Sequence, residues 1–389
     1  MLFMQMALPI FFIFTIYAVN ASQLPLFFVK EGYSITEVGI LLAVFECFGT
    51  FCTFLLSPYV ERQKNYGIPL LISALLTLVL PFFFLGIHSF IIASVCLGIY
   101  AIGYRGLIPL SDAMVNRVLG SRSSDYGKVR AIGSFSYVVM QVVLQIFSRV
   151  QNESVFQMML WMAVPALLTC ASFFAVPGLI SGTAPEYENT AVPKKERGTL
   201  KEELTGFPAE FWMGILVTFA AFLGTAPLGK FLSLYVTDSL HVDAAPVLWA
   251  VSAASEIPFM FFSGHFIRKY GSSKLLFVST GVITIRMIVY VVFPSFGGAL
   301  AGQLLNSITY GVFHPAAIAF ISEHCPADKR ITGLSLYSIL SSGLASIIGS
   351  AVGGIIIDHF GYQALFLSFA VPPVIGLTVF AAWRKNHRC

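Results

Sequence analysis

PLSDAMVNRVLGSRSSDYGKVRAIGSFSY, residues Pro109–Tyr137, runs out of one apolar segment, through a short basic loop, and into another. Within those segments sit a carboxylate, Asp112, and a guanidinium, Arg130. A charge at membrane depth is costly, and the default reading is a functional group with a partner. Asp112 lies nine residues before the loop centre at Ser121, and Arg130 nine residues after it. In an antiparallel helix pair this spacing predicts a shared depth, where each charge neutralises the other. The pair reads as the first half of a transport site.

The composition around this stretch agrees. Of 389 residues, 57% are hydrophobic and only 11% charged, and 37 are Phe. A soluble domain carries roughly 25% charged residues, so this is an integral membrane protein. Apolar runs of about 20 residues recur throughout, enough to cross roughly 30 Å of hydrocarbon as helices. The ten-residue alternating segments of barrel strands are not seen. No Lys or Arg precedes the first apolar run, which therefore reads as a span rather than a cleavable signal. The cysteines (47, 52, 96, 170, 325 and 389) are scattered, with no spacing for a metal or a disulfide framework. No cofactor is expected. The formal charge of +4 comes from loop Lys and Arg and does not point to nucleic acid.

Twelve spans can be drawn, at 6–28, 37–57, 69–87, 91–116, 130–148, 155–178, 208–236, 244–264, 275–293, 297–323, 331–354 and 363–383. With both termini cytoplasmic, seventeen Lys and Arg fall in cytoplasmic segments. Only Lys30 and Arg149 fall outside. That asymmetry sets the orientation and predicts a multi-pass protein of the cell inner membrane. Residues 179–207 break into a polar stretch rich in Pro, Gly, Glu and Lys, read as a cytoplasmic linker. The expected domains are a six-helix half at 1–178, the linker at 179–207, and a second six-helix half at 208–389.

The halves repeat. Arg130, Gly133 and Tyr137 recur as Arg330, Gly333 and Tyr337, each displaced by 200 residues. Tyr104 and Pro109 recur as Tyr310 and Pro315, displaced by 206, and Tyr66-Gly67 answers Tyr270-Gly271. Two six-helix halves repeated around a midplane site is the architecture of major facilitator transporters. The stretch GHFIRKYGSSK (Gly264–Lys274) resembles the glycine-and-basic loops of that superfamily, and SPYVERQKNYG is a degraded counterpart.

Further charges lie inside the spans. Glu256 and Arg286 are each fifteen residues from Gly271, which predicts a common depth in a helix hairpin. Allowing for a short loop, that depth is roughly 16 Å at 1.5 Å per residue, too far for either to snorkel to the interface. Arg105 and Asp112 are seven residues apart, two helical turns, and so face the same side of span four, where Tyr104 and Pro109 accompany them. Glu46 stands alone on its turn of span two, open to reading as a proton site or as a helix-pairing residue. Lys230 is close enough to the end of span seven to reach the outer interface. His314, beside Pro315, is expected to be a hydrogen-bonded packing residue. Four cations (Arg105, Arg130, Lys230, Arg286) face three carboxylates (Glu46, Asp112, Glu256), an excess that suits an anionic solute.

At PLSDA (109–113) and DYGKVRAIGS (125–134) the chain resembles the bacterial proton symporters grouped around the 3-phenylpropionate permease. Nucleoside and lactose permeases are more distant relatives. The likeness continues at SEIPFMFFSGHFIRKYG (255–271), VITIRMI (282–288) and IDHFGYQALFL (357–367). By this resemblance Asp112 and Arg130 correspond to a substrate-binding pair, and Glu256 and Arg286 to coupling or binding residues. The span-ten proton site of the lactose permease is replaced by Asn306 and Thr309, which argues against a galactoside. Arg105 and Lys230 have no counterpart placed in the phenylpropionate permease.

The expectation is thus an all-α membrane protein with twelve helices and a major facilitator fold. It would be a monomer in the lipid bilayer, taking up a small organic solute with protons by alternating access. The site would lie between spans four, five, eight and nine. An aromatic carboxylate leads as the solute class, with a nucleoside or sugar, or export of amphipathic compounds, as alternatives. With no nucleophile–base set, metal cluster or phosphate loop in the sequence, an enzyme is not expected.

Overall fold

The computed structural model describes residues 2–62, 66–119, 126–147, 153–176, 179, 206–326 and 329–386, and among these the regular structure is entirely helical. The first six helices are α1 (Leu2–Lys30), α2 (Ile35–Arg62), α3 (Gly67–Phe84), α4 (Phe90–Leu119), α5 (Tyr126–Phe147) and α6 (Val155–Phe174). There follow α7 (Ala209–Leu234), which ends in a π-helical turn at Tyr235–Ser239, α8 (Ala245–Tyr270) and α9 (Ser272–Val292). The next crossing is broken into α10 (Phe296–Leu304), α11 (Asn306–Thr309) and α12 (Phe313–Glu323). Last come α13 (Arg330–Leu336), a π-helical stretch at Tyr337–Gly343, and α14 (Leu344–Asn386).

Ten candidate membrane spans lie among the described residues, and the last, Thr332–Lys385, is 54 residues long. At 1.5 Å per residue it would extend roughly 80 Å, against roughly 30 Å of hydrocarbon. It does not run straight. Gly361, with φ 79° and ψ 177°, turns the chain within α14. That combination is open essentially to glycine alone.

Two expectations need correction. Residues Gly264–Lys274 are not a loop: α8 continues to Tyr270, α9 starts at Ser272, and Gly271 alone (φ 80°) makes the turn. The basic residues there are helical, on turns that carry the helices past the apolar zone. Span ten is not one helix either, because the chain leaves helical geometry around Leu305 and again at Tyr310–Val312. Irregular backbone at this depth is tolerated where protein buries it, and Gly311 and Val312 are buried. Of the linker at 179–207, residues 180–205 lie outside the described residues, as does the loop at 120–125.

The chain divides into two compact units, one comprising Met1–Val192 with Asp243–Ala250, the other Pro193–Val242 with Val251–Cys389. In the first, α1 packs on α5 and α6, and α4 packs on α2 and α3. Its core is aromatic, with Phe28 and Tyr100 ring centroids 5.5 Å and 5.8 Å from that of Phe84. In the second, α7 packs along α14, and α9 on α14 and α12. Phe211, Ile283, Phe313, Phe320 and Phe380 fill that core. Outward positions are apolar too: Phe261 is 83% exposed and Phe360 74%, as expected of helices whose outer surface meets lipid.

Gly361 gives a test of the turn. A Cβ there would meet no atom within 4 Å, so the cost of Gly361→Ala is purely that of the backbone. The variant is expected to lose about 1–3 kcal/mol of stability, read as a lower thermal midpoint in detergent. Gly229, helical and equally open, is the control: Gly229→Ala is expected to be neutral or stabilising by up to ~1 kcal/mol.

Candidate functional site

Among the described residues of the first unit, two ion pairs join charges on different helices. Arg130, four residues into α5, donates from Nη1 to Oδ1 of Asp112 at 3.1 Å. Asp112 is seven residues short of the end of α4, so helix hairpin geometry brings the two to a similar level. The guanidinium also lies over the ring of Phe14 on α1, its Cζ 4.7 Å from the centroid. Gly133, one turn beyond Arg130, makes that approach possible: a Cβ there would come within 2.7 Å of Phe14 Cδ2.

The second pair joins α2 to α4. Arg105 Nη2 donates to Oε2 of Glu46, and the carboxylate is only 2% exposed. The contact ties α2 to α4, with the acid group of Glu46 bound to a cation 59 positions away. Arg105 and Asp112 share a side of α4 but reach different neighbours, α2 and α5. Tyr104 is buried at 7% exposure. Its ring lies 4.2 Å from that of Tyr17 on α1, and Tyr17 Oη donates to the Tyr104 carbonyl at 2.7 Å. Pro109, which has no N–H, leaves the next carbonyl, that of Arg105, without its helical donor.

In the second unit Glu256 and Arg286 are not in direct contact; Asn306 stands between them. Its Nδ2 donates to Oε1 of Glu256, and to Ser252 Oγ at 2.8 Å. Its Oδ1 accepts from Arg286 Nη1. The same Nη1 donates to Thr309 Oγ1 at 2.8 Å, and Nη2 donates to Gln303 Oε1 at 3.0 Å. Gln303 in turn donates to Tyr290 Oη at 2.9 Å. Arg286 is 3% exposed, and neutral oxygens fix its guanidinium. The break in span ten places Asn306 and Thr309 on the short α11, from which both reach the same guanidinium nitrogen. Glu256 and Arg286, expected as a pair at one depth, meet through the Asn306 amide rather than by a direct hydrogen bond.

Of the other expected residues, Lys230 is half-buried on α7, and these hydrogen bonds of Glu256, Arg286 and Asn306 run to other partners. His314 is a packing residue, its ring parallel to that of Tyr310 at 5.2 Å and its Nδ1 3.2 Å from Tyr337 Oη. Sequence reasoning missed Phe14, Tyr17, Gln303 and Ser252. Phe14 and Tyr17 stand three apart on α1, a helical spacing that also suits ordinary packing.

Charges paired within apolar helices mark a functional site in a helical membrane protein. The chain belongs to the MFS_1 like family, whose model matches residues 3–368, and is therefore a membrane transporter of the major facilitator superfamily rather than an enzyme. It is 24% identical over 337 residues to the uncharacterized transporter YwbF of Bacillus subtilis, covering 86% of this chain and 81% of that protein. To the probable 3-phenylpropionic acid transporter of Escherichia coli it is 22% identical over 346 residues, covering 86% of each. Its fold matches a crystal structure of a mutant of the nucleoside transporter NupG with a TM-score of 0.82 at 16% identity. That match covers 98% of this chain and 99% of that one.

Asn306 serves both Glu256 and Arg286, so Asn306→Leu leaves each short of a partner. The expected loss is about 2–4 kcal/mol, measured by thermal unfolding in detergent. Thr309→Val, which removes one acceptor while Asn306 and Gln303 remain, should cost about 1 kcal/mol.

Proposed function

We propose that the protein is a proton-coupled importer of a small organic solute, working by alternating access as a monomer in the inner membrane. It would cross the bilayer twelve times with both termini cytoplasmic, in two halves at 1–178 and 208–389 joined by a cytoplasmic linker. The observation that carries the reading is Glu256, a carboxylate near the middle of α8 tied to a buried arginine only through the neutral Asn306. A direct ion pair would fix the charge of the acid. An amide relay leaves its proton free to be gained and released as the helices around it change their packing.

Asp112 and Arg130 hold the solute's polar group in this reading. A guanidinium binds a carboxylate with parallel N–H donors, and Phe14 beneath Arg130 offers a face to a flat apolar body. An aromatic carboxylate fits both features, and the name of the Escherichia coli relative is in keeping with it. A nucleoside or sugar is the second reading. It is favoured by the neutral polar set Gln303, Asn306 and Thr309, and by likeness to a maltose permease of Geobacillus stearothermophilus, 22% identical over 283 residues.

Uptake into proteoliposomes separates these. 3-Phenylpropionate, uridine and a disaccharide are offered with and without an imposed proton gradient. The expected result is accumulation of the aromatic acid driven by the gradient. Glu256→Gln should abolish accumulation, by about 100-fold or more relative to the parent, while counterflow exchange persists. Uptake indifferent to the gradient overturns proton coupling, and accumulation of uridine or the disaccharide instead selects the second reading.

A further inference from the structure

The first unit carries one more arginine than a single-carboxylate solute requires. Arg105 is near the middle of α4, fifteen residues from Phe90 and fourteen from Leu119, yet its side chain is 36% exposed, the same fraction as that of Arg130. A guanidinium at that depth does not face hydrocarbon without a large penalty, so its open edge belongs on a polar path. Glu46 occupies Nη2 alone, and a guanidinium has five N–H donors.

A row of rings runs between the two arginines. Arg130 lies 4.7 Å above Phe14, and Phe14 is 6.1 Å from Tyr17. Tyr17 is 4.2 Å from Tyr104, Tyr104 5.2 Å from Phe45, and Phe45 5.8 Å from Arg105. Tyr104 and Phe45 are buried and support the row, whereas Phe14 and Tyr17 are partly open. Along α4, Arg105 is seven residues from the partner of Arg130, or roughly 10 Å at 1.5 Å per residue.

We propose that Arg105 is a specificity-determining residue, taking an oxygen group at the far end of a solute whose carboxylate binds Arg130 and whose ring lies on Phe14 and Tyr17. This rests on the aromatic-acid reading above and narrows it. The solute is an elongated aryl acid with a hydrogen-bond-accepting oxygen at each end, roughly 10 Å apart. A plain aryl acid fills the Arg130 end and leaves Arg105 to water.

The test pairs a change in the solute with a change in the protein. Binding of 3-phenylpropionate, 3-(4-hydroxyphenyl)propionate and 3-(4-carboxyphenyl)propionate is measured by isothermal calorimetry on the purified chain. The parent is expected to bind the two substituted acids about tenfold or more tighter than the plain one. Two variants keep the Glu46 site from holding an orphan charge: Arg105→Lys, and the double variant Arg105→Gln/Glu46→Gln. In both, the plain acid should bind as in the parent, while the preference for a substituted tail weakens in Arg105→Lys, which keeps a cationic donor, and disappears in the double variant. A preference that survives in the double variant overturns the proposal. Equal binding of all three acids by the parent overturns it too, without any variant. If the parent binds none of the acids, the aromatic-acid reading itself falls and this assignment falls with it.

Discussion

An ionised side chain halfway along a membrane helix costs about 2.5–3.5 kcal/mol or more unless something neutralises it, and in this protein three acid–arginine relationships meet that demand. Glu46 takes Arg105, Asp112 takes Arg130, and Glu256 reaches Arg286 through Asn306. Each relationship crosses between helices, so the same contacts that quench the charges also fix packing. The first ties α2 to α4, the second α4 to α5, and the third α8 and α9 to the broken crossing that contains α11. Without them the apolar faces could slide, since one hydrocarbon side chain packs against lipid nearly as well as against another.

The internal repeat gains meaning from the packing. Gly133 lets the ring of Phe14, on the first helix of its half, come close. At its counterpart Gly333 a Cβ would lie 2.6 Å from Cys325 Sγ and 3.2 Å from Cε2 of Phe211, on the first helix of the other half. At both positions an aromatic ring from the leading helix comes near the glycine, although at Gly333 the Cys325 sulfur is nearer still. The duplication is not symmetrical in its chemistry. Pro109 lies inside a continuous α4, while Pro315 falls in the first turn of α12, just after the backbone has broken. A proline there sacrifices no helical hydrogen bond, and the break frees α11 to present two polar side chains to one guanidinium.

Much of this was legible because two signals survive without a structure. Apolar run length gave the crossings, so that 155–178 corresponds to Val155–Phe174 and 275–293 to Ser272–Val292. Counting from a loop paired Asp112 with Arg130, since a helix hairpin preserves depth. Counting fails where helices are not adjacent in sequence, and Glu46 and Arg105 lie on α2 and α4 with a whole crossing between them. It fails again for Phe14 and Tyr17, whose chemistry is that of any membrane helix until a guanidinium is found above one of them. Hydropathy is blind to a broken backbone, so span ten read as continuous. Basic residues read as loop at Gly264–Lys274, although a helix can carry Arg268, Lys269 and Lys274 beyond the apolar zone without ending.

Arg105 and Arg130 differ from Arg286 in accessibility, and accessibility decides which can meet a solute. Arg105 and Arg130 are each 36% exposed, with donors beyond those their carboxylates use. A ligand can add to them without stripping any buried group. Arg286, at 3% exposed, is held by Asn306, Thr309 and Gln303. To engage it a ligand must displace neutral oxygens that are already well placed, and must leave them unpaired, at about 1–3 kcal/mol for each buried group. In the proposed function, recognition therefore falls to the open arginines and their aromatic row. Arg286 acts instead on Asn306, whose amide orientation decides whether Glu256 is offered a donor. A solute and a proton would then be handled by different charges, which is what allows one to be exchanged without the other and makes their coupling a property of the protein rather than of direct contact.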